Sequence, residues 1–172
     1  MQGIKAPDPG MDEQFRDLVE DYQAPLLKMC YLQLQDRGLA EDAVQETFIK
    51  AYRTLPAYRG ESSRKTWLIR IAINTCRDMQ RSGWWKHINR RVTPEMLPEL
   101  SRGISEDALT VNLEIARLPG KMREVVLLYY YSNMQITEIA EALGIVPSSV
   151  SGRLRRAKER LRAALKGAYF DE

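Results

Sequence analysis

The chain is poor in the residues from which most metal and catalytic centres are made. It has one histidine (His87), two cysteines (Cys30 and Cys76) and no C-x-x-C pair in 172 residues. A structural zinc site takes four Cys or His ligands at short spacings, and a Ser–His or Cys–His nucleophile needs a histidine held beside it. The carboxylates lie on helical segments without a clustered metal-ligand spacing. No cofactor is expected, and the chain reads as a non-enzyme. Cys30 and Cys76 fall inside apolar helical patterns and read as small core residues in a reducing compartment, not as a disulfide. Long apolar runs are also missing. The longest, residues 125–131, has seven residues, against about 20 for a membrane-spanning helix. No basic-then-apolar segment opens the chain, so a cytoplasmic location without membrane insertion is expected. Strand signals are nearly absent, and no internal repeat is evident.

What is present is helical periodicity and an uneven charge. The hydrophobic fraction of 44% is enough for a core, and the 28% of charged residues is usual for a globular chain. The net charge of +3 conceals an alternation. Residues 1–52 carry 5 basic and 10 acidic side chains, and residues 53–92 carry 10 and 2. Residues 93–150 then carry 4 and 8, and residues 151–172 carry 7 and 3. Two basic blocks separated by acidic ones suggest two contacts with nucleic acid, far apart in sequence.

The second basic block follows a helix-turn-helix pattern. Ile136, Ile139, Ala140 and Leu143 recur at i, i+3, i+4, i+7, one apolar helix stripe. Gly144 supplies the positive φ of a tight turn, and Pro147 suits the first turn of a second helix. Val150, Leu154, Ala157, Leu161 and Leu165 form the stripe that this helix buries. Ser148, Gly152, Arg155, Arg156 and Glu159 fall on its other side, flanked by Arg153, Lys158 and Arg160. Residues 151–166 hold seven basic side chains and one acidic. A solvated surface helix usually mixes signs to gain i,i+4 pairs. One buried stripe with arginines opposite is how such a helix enters a major groove.

The N-terminal half has two informative segments. In AEDAVQETFIKAY (residues 40–52), Val44, Phe48 and Tyr52 turn inward, leaving Asp42, Gln45, Glu46 and Ile49 outward or at the margin. Acid and amide groups beside an exposed apolar residue suit a protein partner; a merely solvated face is the alternative. In YRGESSRKTWLIRIAINTCRDMQR (residues 58–81), Arg59, Arg64, Lys65, Arg70, Arg77 and Arg81 can neutralise phosphates. Tyr58 and Trp67 can stack on unpaired bases, and Asn74, two turns beyond Trp67, can pair with a base edge. Aromatic residues among positive charges suit single strands better than duplex. The alternative is that Trp67 is core.

An all-α chain of two small helical domains follows. A helix containing Phe15, Leu18, Val19, Tyr22, Leu26 and Met29 is bent or restarted at Pro25. A turn at Asp36–Gly38 precedes the helix from about Ala40 to Thr54. A loop over residues 56–63 comes next, then a helix over 64–81 with Trp67, Leu68, Ile71, Thr75 and Met79 on its core side. Periodicity fails from Trp84 to Glu106, where Pro94, Pro98 and Gly103 occur, and this stretch reads as a linker that includes Trp84 and Trp85. Helices resume after Ser105, a plausible N-cap, with a break at Pro119-Gly120. The domains are placed at 11–83 and 107–168, joined by a flexible linker over 84–106.

Taken together, these segments resemble the extracytoplasmic-function (ECF) group of sigma-70-like RNA polymerase sigma factors. AEDAVQETFIKAY is similar to the region 2 helix that binds core RNA polymerase. YRGESSRKTWLIRIAINTCRD resembles the loop and helix that recognise and open the −10 promoter element. The segment from Leu118 to Leu165 resembles region 4, which reads the −35 element as duplex. The resemblance implies polymerase binding at Asp42, Gln45, Glu46 and Ile49, with Phe48 in support. It implies −10 contacts from Tyr58, Arg59, Ser62, Ser63, Arg64 and Lys65, with Trp67, Arg70, Asn74 and Arg77 behind them. For the −35 element it implies Ser148, Ser149, Ser151, Gly152, Arg153, Arg155, Arg156 and Lys158. The family usually has Pro-Val-Gly-Thr-Val-Lys-Ser-Arg where this chain has Val-Pro-Ser-Ser-Val-Ser-Gly-Arg, so Ser151 and Gly152 replace a lysine and a serine. An anti-sigma factor is a further implied partner. The rival reading, a helix-turn-helix repressor or activator working without polymerase, explains residues 120–166 but not the first basic block.

Overall fold

The computed structural model describes residues 9–82 and 105–170, with side chains to residue 167. The linker expected at 84–106, with Trp84 and Trp85, lies almost wholly outside the described residues. Seven helices are described: α1 (Pro9–Leu34), α2 (Arg37–Thr54), α3 (Arg64–Arg81), α4 (Glu106–Arg117), α5 (Gly120–Val126), α6 (Ile136–Leu143) and α7 (Pro147–Phe170). No strand occurs among the described residues.

α1 does not restart at Pro25. It runs through as one helix, and the proline stands on its exposed side. There the carbonyl that loses its amide partner can turn to water, so a proline that would break a buried helix is tolerated. Nor is the expected turn at Asp36–Gly38 a separate element. Asp36 is the N-cap of α2, its Oδ1 accepting from the Leu39 amide at 2.8 Å. α2 then buries Ala40, Ala43, Val44, Thr47, Phe48 and Ala51, the 3–4 spacing of one helix face. The three alanines let α1 and α3 approach closely. Ser63 caps α3 by accepting from the Thr66 amide at 3.1 Å.

The core face of α3 is rotated from the expected one. Leu68, Ile69, Ala72, Ile73, Thr75 and Cys76 are buried, while Trp67, Ile71 and Met79 are only partly so. The segment Trp67–Asn74 is apolar on most of its circumference, so periodicity alone could not choose the face that packs. Cys30 and Cys76 are both fully buried, free thiols with their sulfurs 3.6 Å apart. Contact with Cys30 and burial push the Cys76 thiol well above its usual range, as expected of inert core cysteines.

In the C-terminal half, Ser105 caps α4, and Leu127–Tyr131 adds one π-helical turn to the end of α5. α6 opens on Gln135, whose amide donates to Glu138 Oε2 at 2.9 Å, a capping contact the sequence reading missed. Gly144 has φ +64, and the Ile145 amide reaches back to the Ala140 carbonyl at 3.0 Å. A Cβ at Gly144 would meet nothing within 4 Å. Gly144→Ala should therefore cost about 1–2 kcal/mol from backbone strain alone, and Gly144→Asn distinctly less. Urea denaturation of the full chain checks this; equal midpoints for both variants would exclude strain as the cause. Val150, Leu154 and Ala157 are buried as expected, whereas Leu161 and Leu165 are half-buried because α7 runs past the core.

The two halves are in contact. α4, α5 and the π turn lie against α1, and α6 lies against α3.

Candidate functional site

Three surfaces carry the chemistry expected from the sequence. On α2, Asp42 and Gln45 are exposed, Glu46 is half-exposed, and Ile49 is 45% exposed. Phe48 is buried and meets the Phe15 ring edge-on at 6.1 Å. It holds the helix in place without reaching the surface. Glu46 has only a 4.0 Å ion pair with Lys50, a loose contact between two exposed side chains. Acid, amide and isoleucine therefore stand together at the surface.

The second surface is the loop before α3 and one stripe of α3 itself. Tyr58 lies over Trp67 with ring centroids 5.0 Å apart and planes at 39°, and its hydroxyl donates to the Ser62 carbonyl. Gly60, at φ +75, lets the loop fold back on itself. Arg59, Ser63 and Arg64 are exposed; Ser62 and Lys65 are half-buried. Arg64 donates to Gln14 Oε1 at 3.0 Å, which ties the loop to α1. Trp67 is partly buried and packs against the core. Trp67, Arg70, Asn74 and Arg77 follow at steps of 3, 4 and 3, one stripe along α3. Of these Asn74 is exposed, but the arginines are engaged by the C-terminal half. Arg70 Nη2 lies 2.7 Å from Glu141 Oε2. Arg77 Nε lies 3.3 Å from Glu124 Oε1, and its Nη1 donates to the Leu143 carbonyl at 2.9 Å.

The third surface is α7. Ser148, Ser151, Arg155, Arg156 and Lys158 are exposed, and Ser149, Gly152 and Arg153 are half-buried. Gly152 opens a gap over which the Arg156 guanidinium folds, with Nη1 3.6 Å from where a Cβ would stand. A shallow groove beside Arg155 and Lys158 is walled by Tyr129 and Ile136. Lys158 Nζ sits 5.7 Å from the centroid of Tyr130 and 6.0 Å from that of Tyr129, close enough for a cation–π contact.

Sequence reasoning missed Arg123. It is 7% exposed and donates to the carbonyls of Ala116 (2.9 Å), Leu118 (3.0 Å) and Gln33 (3.0 Å). Burial draws its guanidinium down to about 10, with Glu124 opposing the shift, so it stays charged at neutral pH. Burial likewise raises the Glu124 carboxyl, against the pull of Arg77 and Arg153. The available signal was an Arg-Glu pair set immediately before the longest apolar run, where charge is rarely placed without buried partners. Among the described residues, no cluster of His, Cys, Asp or Glu could hold a metal ion, and no helix is long and apolar enough to cross a membrane.

Known proteins share this arrangement. The Sigma-70 region 2 family matches residues 18–86, and the Sigma-70 region 4 family matches residues 110–161. The ECF RNA polymerase sigma factor SigW of Bacillus subtilis is 30% identical, over 95% of each chain. The RNA polymerase sigma-H factor of Pseudomonas aeruginosa is 31% identical, over 91% of this chain and 89% of that one. Among solved structures, CnrH in complex with the cytosolic domain of CnrY superposes with a TM-score of 0.66 at 25% identity, covering 91% and 90% of the two chains. The sigma factor RpoE of Bartonella quintana, solved with the anti-sigma factor NepR, gives 0.65 at 22% over 91% and 99%, and shares the fold. The chain belongs to the sigma-70 family of RNA polymerase sigma factors, within its ECF group. A repressor working without polymerase is not favoured, because the match includes region 2 as well as the helix-turn-helix.

Proposed function

We propose that the chain divides the work of an ECF sigma factor among the three surfaces. It binds core RNA polymerase and directs promoter recognition and transcription initiation. The observation that carries this reading is the match to regions 2 and 4 in their order along one chain. Region 2 would occupy 11–83 and region 4 would occupy 107–168, with 84–106 between them. The α2 face of Asp42, Gln45, Glu46 and Ile49 would dock on polymerase. The loop at Tyr58–Lys65 and the Trp67, Arg70, Asn74, Arg77 stripe would receive the opened −10 strand. α7, from Ser148 to Lys158, would enter the −35 major groove. The chain contributes no catalytic group of its own; the polymerase forms the phosphodiester bonds. A reducing, cytoplasmic setting is proposed with it, and the buried thiols of Cys30 and Cys76 suit such a setting. An anti-sigma factor is proposed as a further partner, as the family resemblance implies; RpoE of Bartonella quintana, which shares the fold, was solved with the anti-sigma factor NepR.

Run-off transcription with core polymerase and a promoter library tests the whole reading. The division of labour has its own test. Arg155→Ala and Arg156→Ala should each weaken binding to duplex −35 DNA by about 1–3 kcal/mol and relax preference at one base pair. Asn74→Ala should leave duplex binding intact and reduce promoter opening, read by permanganate reactivity of unpaired thymines. Equal loss of duplex binding in all three variants would defeat the assignment.

A further inference from the structure

We infer that Gly152 and Arg156 act as one reading unit in α7: the glycine leaves the space in which the Arg156 guanidinium lies, and so fixes which base pair that arginine meets. The inference rests on the reading of α7 as the duplex-binding helix and adds a specificity-determining position to it. Glycine is, after proline, the poorest helix former, yet Gly152 stands inside α7, which runs unbroken from Pro147 to Phe170. Its backbone does not call for glycine, since positive φ among the described glycines occurs at Gly60 and Gly144. What the missing side chain provides is room. Beyond its chain neighbours, the nearest side-chain atoms to where a Cβ would stand are Nη1 and Nη2 of Arg156, at 3.6 and 4.0 Å. Side chains four apart share a helix face, and a helical side chain leans back toward the N-terminus. Both terminal nitrogens of Arg156 therefore lie over Gly152.

That placement changes which base is read. Arg156 is exposed, and among the described residues no carboxylate pairs with it. Its planar fork matches the O6 and N7 acceptors of a guanine in the major groove, the commonest specific contact of arginine. Residues 152 and 156 are four steps of about 1.5 Å apart along the helix axis, about 6 Å in all. Base pairs follow one another at about 3.4 Å. A guanidinium lying over residue 152 and one level with its own Cα therefore differ by up to about two base pairs in what they reach. A side chain at 152 larger than a methyl group would fill the space and turn Arg156 out of it. The base selected is then a property of the pair. Arg155 supplies an internal reference. None of its atoms lies within 4 Å of the Cβ position at 152, and it borders the groove walled by Tyr129 and Ile136.

The test uses the full chain bound to core RNA polymerase and a duplex promoter library randomised across the −35 element, with the retained DNA sequenced. The parent should select a guanine that Arg156→Ala no longer selects. Gly152→Val carries two γ-carbons beyond a Cβ that already lies 3.6 Å from Nη1. It should move that guanine by one or two base pairs or abolish its selection, while the base selected through Arg155 stays in place. Affinity for the parent's preferred duplex should fall about tenfold, within the usual range for one lost bidentate contact. Gly152→Met, unbranched and a good helix former, should behave in the same way, which separates the effect from any loss of helix. In the Arg156→Ala background, Gly152→Val should weaken binding no further. Gly152→Ala gives Nη1 only an ordinary van der Waals neighbour. It should keep the parent's selection, with a thermal midpoint at or above the parent's. A tenfold loss that persists in the Arg156→Ala background, or that Gly152→Ala shows equally, overturns the proposal, because the DNA itself would then need the empty space. So does a selection by Gly152→Val and Gly152→Met identical to the parent's. A parent that selects no sequence at the −35 element overturns the reading of α7, and this proposal with it.

Discussion

Replacing Gln45 and Glu46 together by alanine should weaken binding to core RNA polymerase by about thirtyfold or more. Truncating one partner of a hydrogen-bonded charge contact at an interface costs about 2–5 kcal/mol, largely because its mate is left buried and unpaired. Both side chains stand on the exposed margin of α2, and neither belongs to the core cluster. The α2 packing rests on Ala40, Ala43, Val44, Phe48 and Ala51, which the double variant leaves in place. Its helicity and thermal midpoint should therefore be nearly those of the parent, and α7 should bind duplex DNA as before. Fluorescence anisotropy against core polymerase reads the affinity, and run-off transcription should fall in parallel. Ile49→Ala offers a contrast. Ile49 is an exposed apolar residue beside the polar pair, so its loss should reduce affinity without the penalty of an orphaned charge. A double variant that keeps parental affinity would remove α2 from the docking surface.

The parts of this molecule most legible in its sequence are those governed by local rules. Gly144 and Pro147 marked the turn between α6 and α7 because positive φ and a missing amide proton have few other uses there. The cap of α4 was visible as Ser105 standing before an apolar period. The core face of α3 was less legible. An apolar segment presents several candidate faces, and the choice among them is made by α1 and α2, whose positions no local pattern contains. The contact between the two halves was not legible at all. Arg70 and Arg77 read as phosphate ligands because they are basic and share a stripe with Trp67 and Asn74. Their pairing with Glu141 and Glu124 depends on residues 71 and 47 positions away. Part of the acidic block at 93–150 faces these two arginines.

The same long-range contacts predict the largest stability effect in the chain. Arg123→Met should lower the thermal midpoint by roughly 4–8 °C, the equivalent of about 2 kcal/mol in a domain of this size. Replacing a buried charge by an apolar residue is often neutral or stabilising. That result holds where the whole polar group of contacts is replaced. Here methionine would remove the guanidinium and leave its acceptors. The Ala116, Leu118 and Gln33 carbonyls all accept from Arg123, and an unsatisfied buried acceptor costs about 1–3 kcal/mol. Ala116 keeps a bond from Gln35 and Gln33 keeps one from Gln80 at 3.4 Å, so the desolvation cost recovered, visible in the lowered guanidinium of Arg123, is set against the Leu118 carbonyl left without this donor and the two bonds lost beside it. Two of those carbonyls belong to the end of α4 and the turn into α5, so region 4 itself should loosen. The third lies on α1 and joins the two halves. Gln35→Ala removes a contact to the same Ala116 carbonyl, which keeps its bond from Arg123. It should cost only about 1 kcal/mol. Thermal unfolding followed by circular dichroism on the full chain separates the two variants. An Arg123→Met midpoint at or above that of the parent would mean that burying the charge costs more than its three carbonyls return.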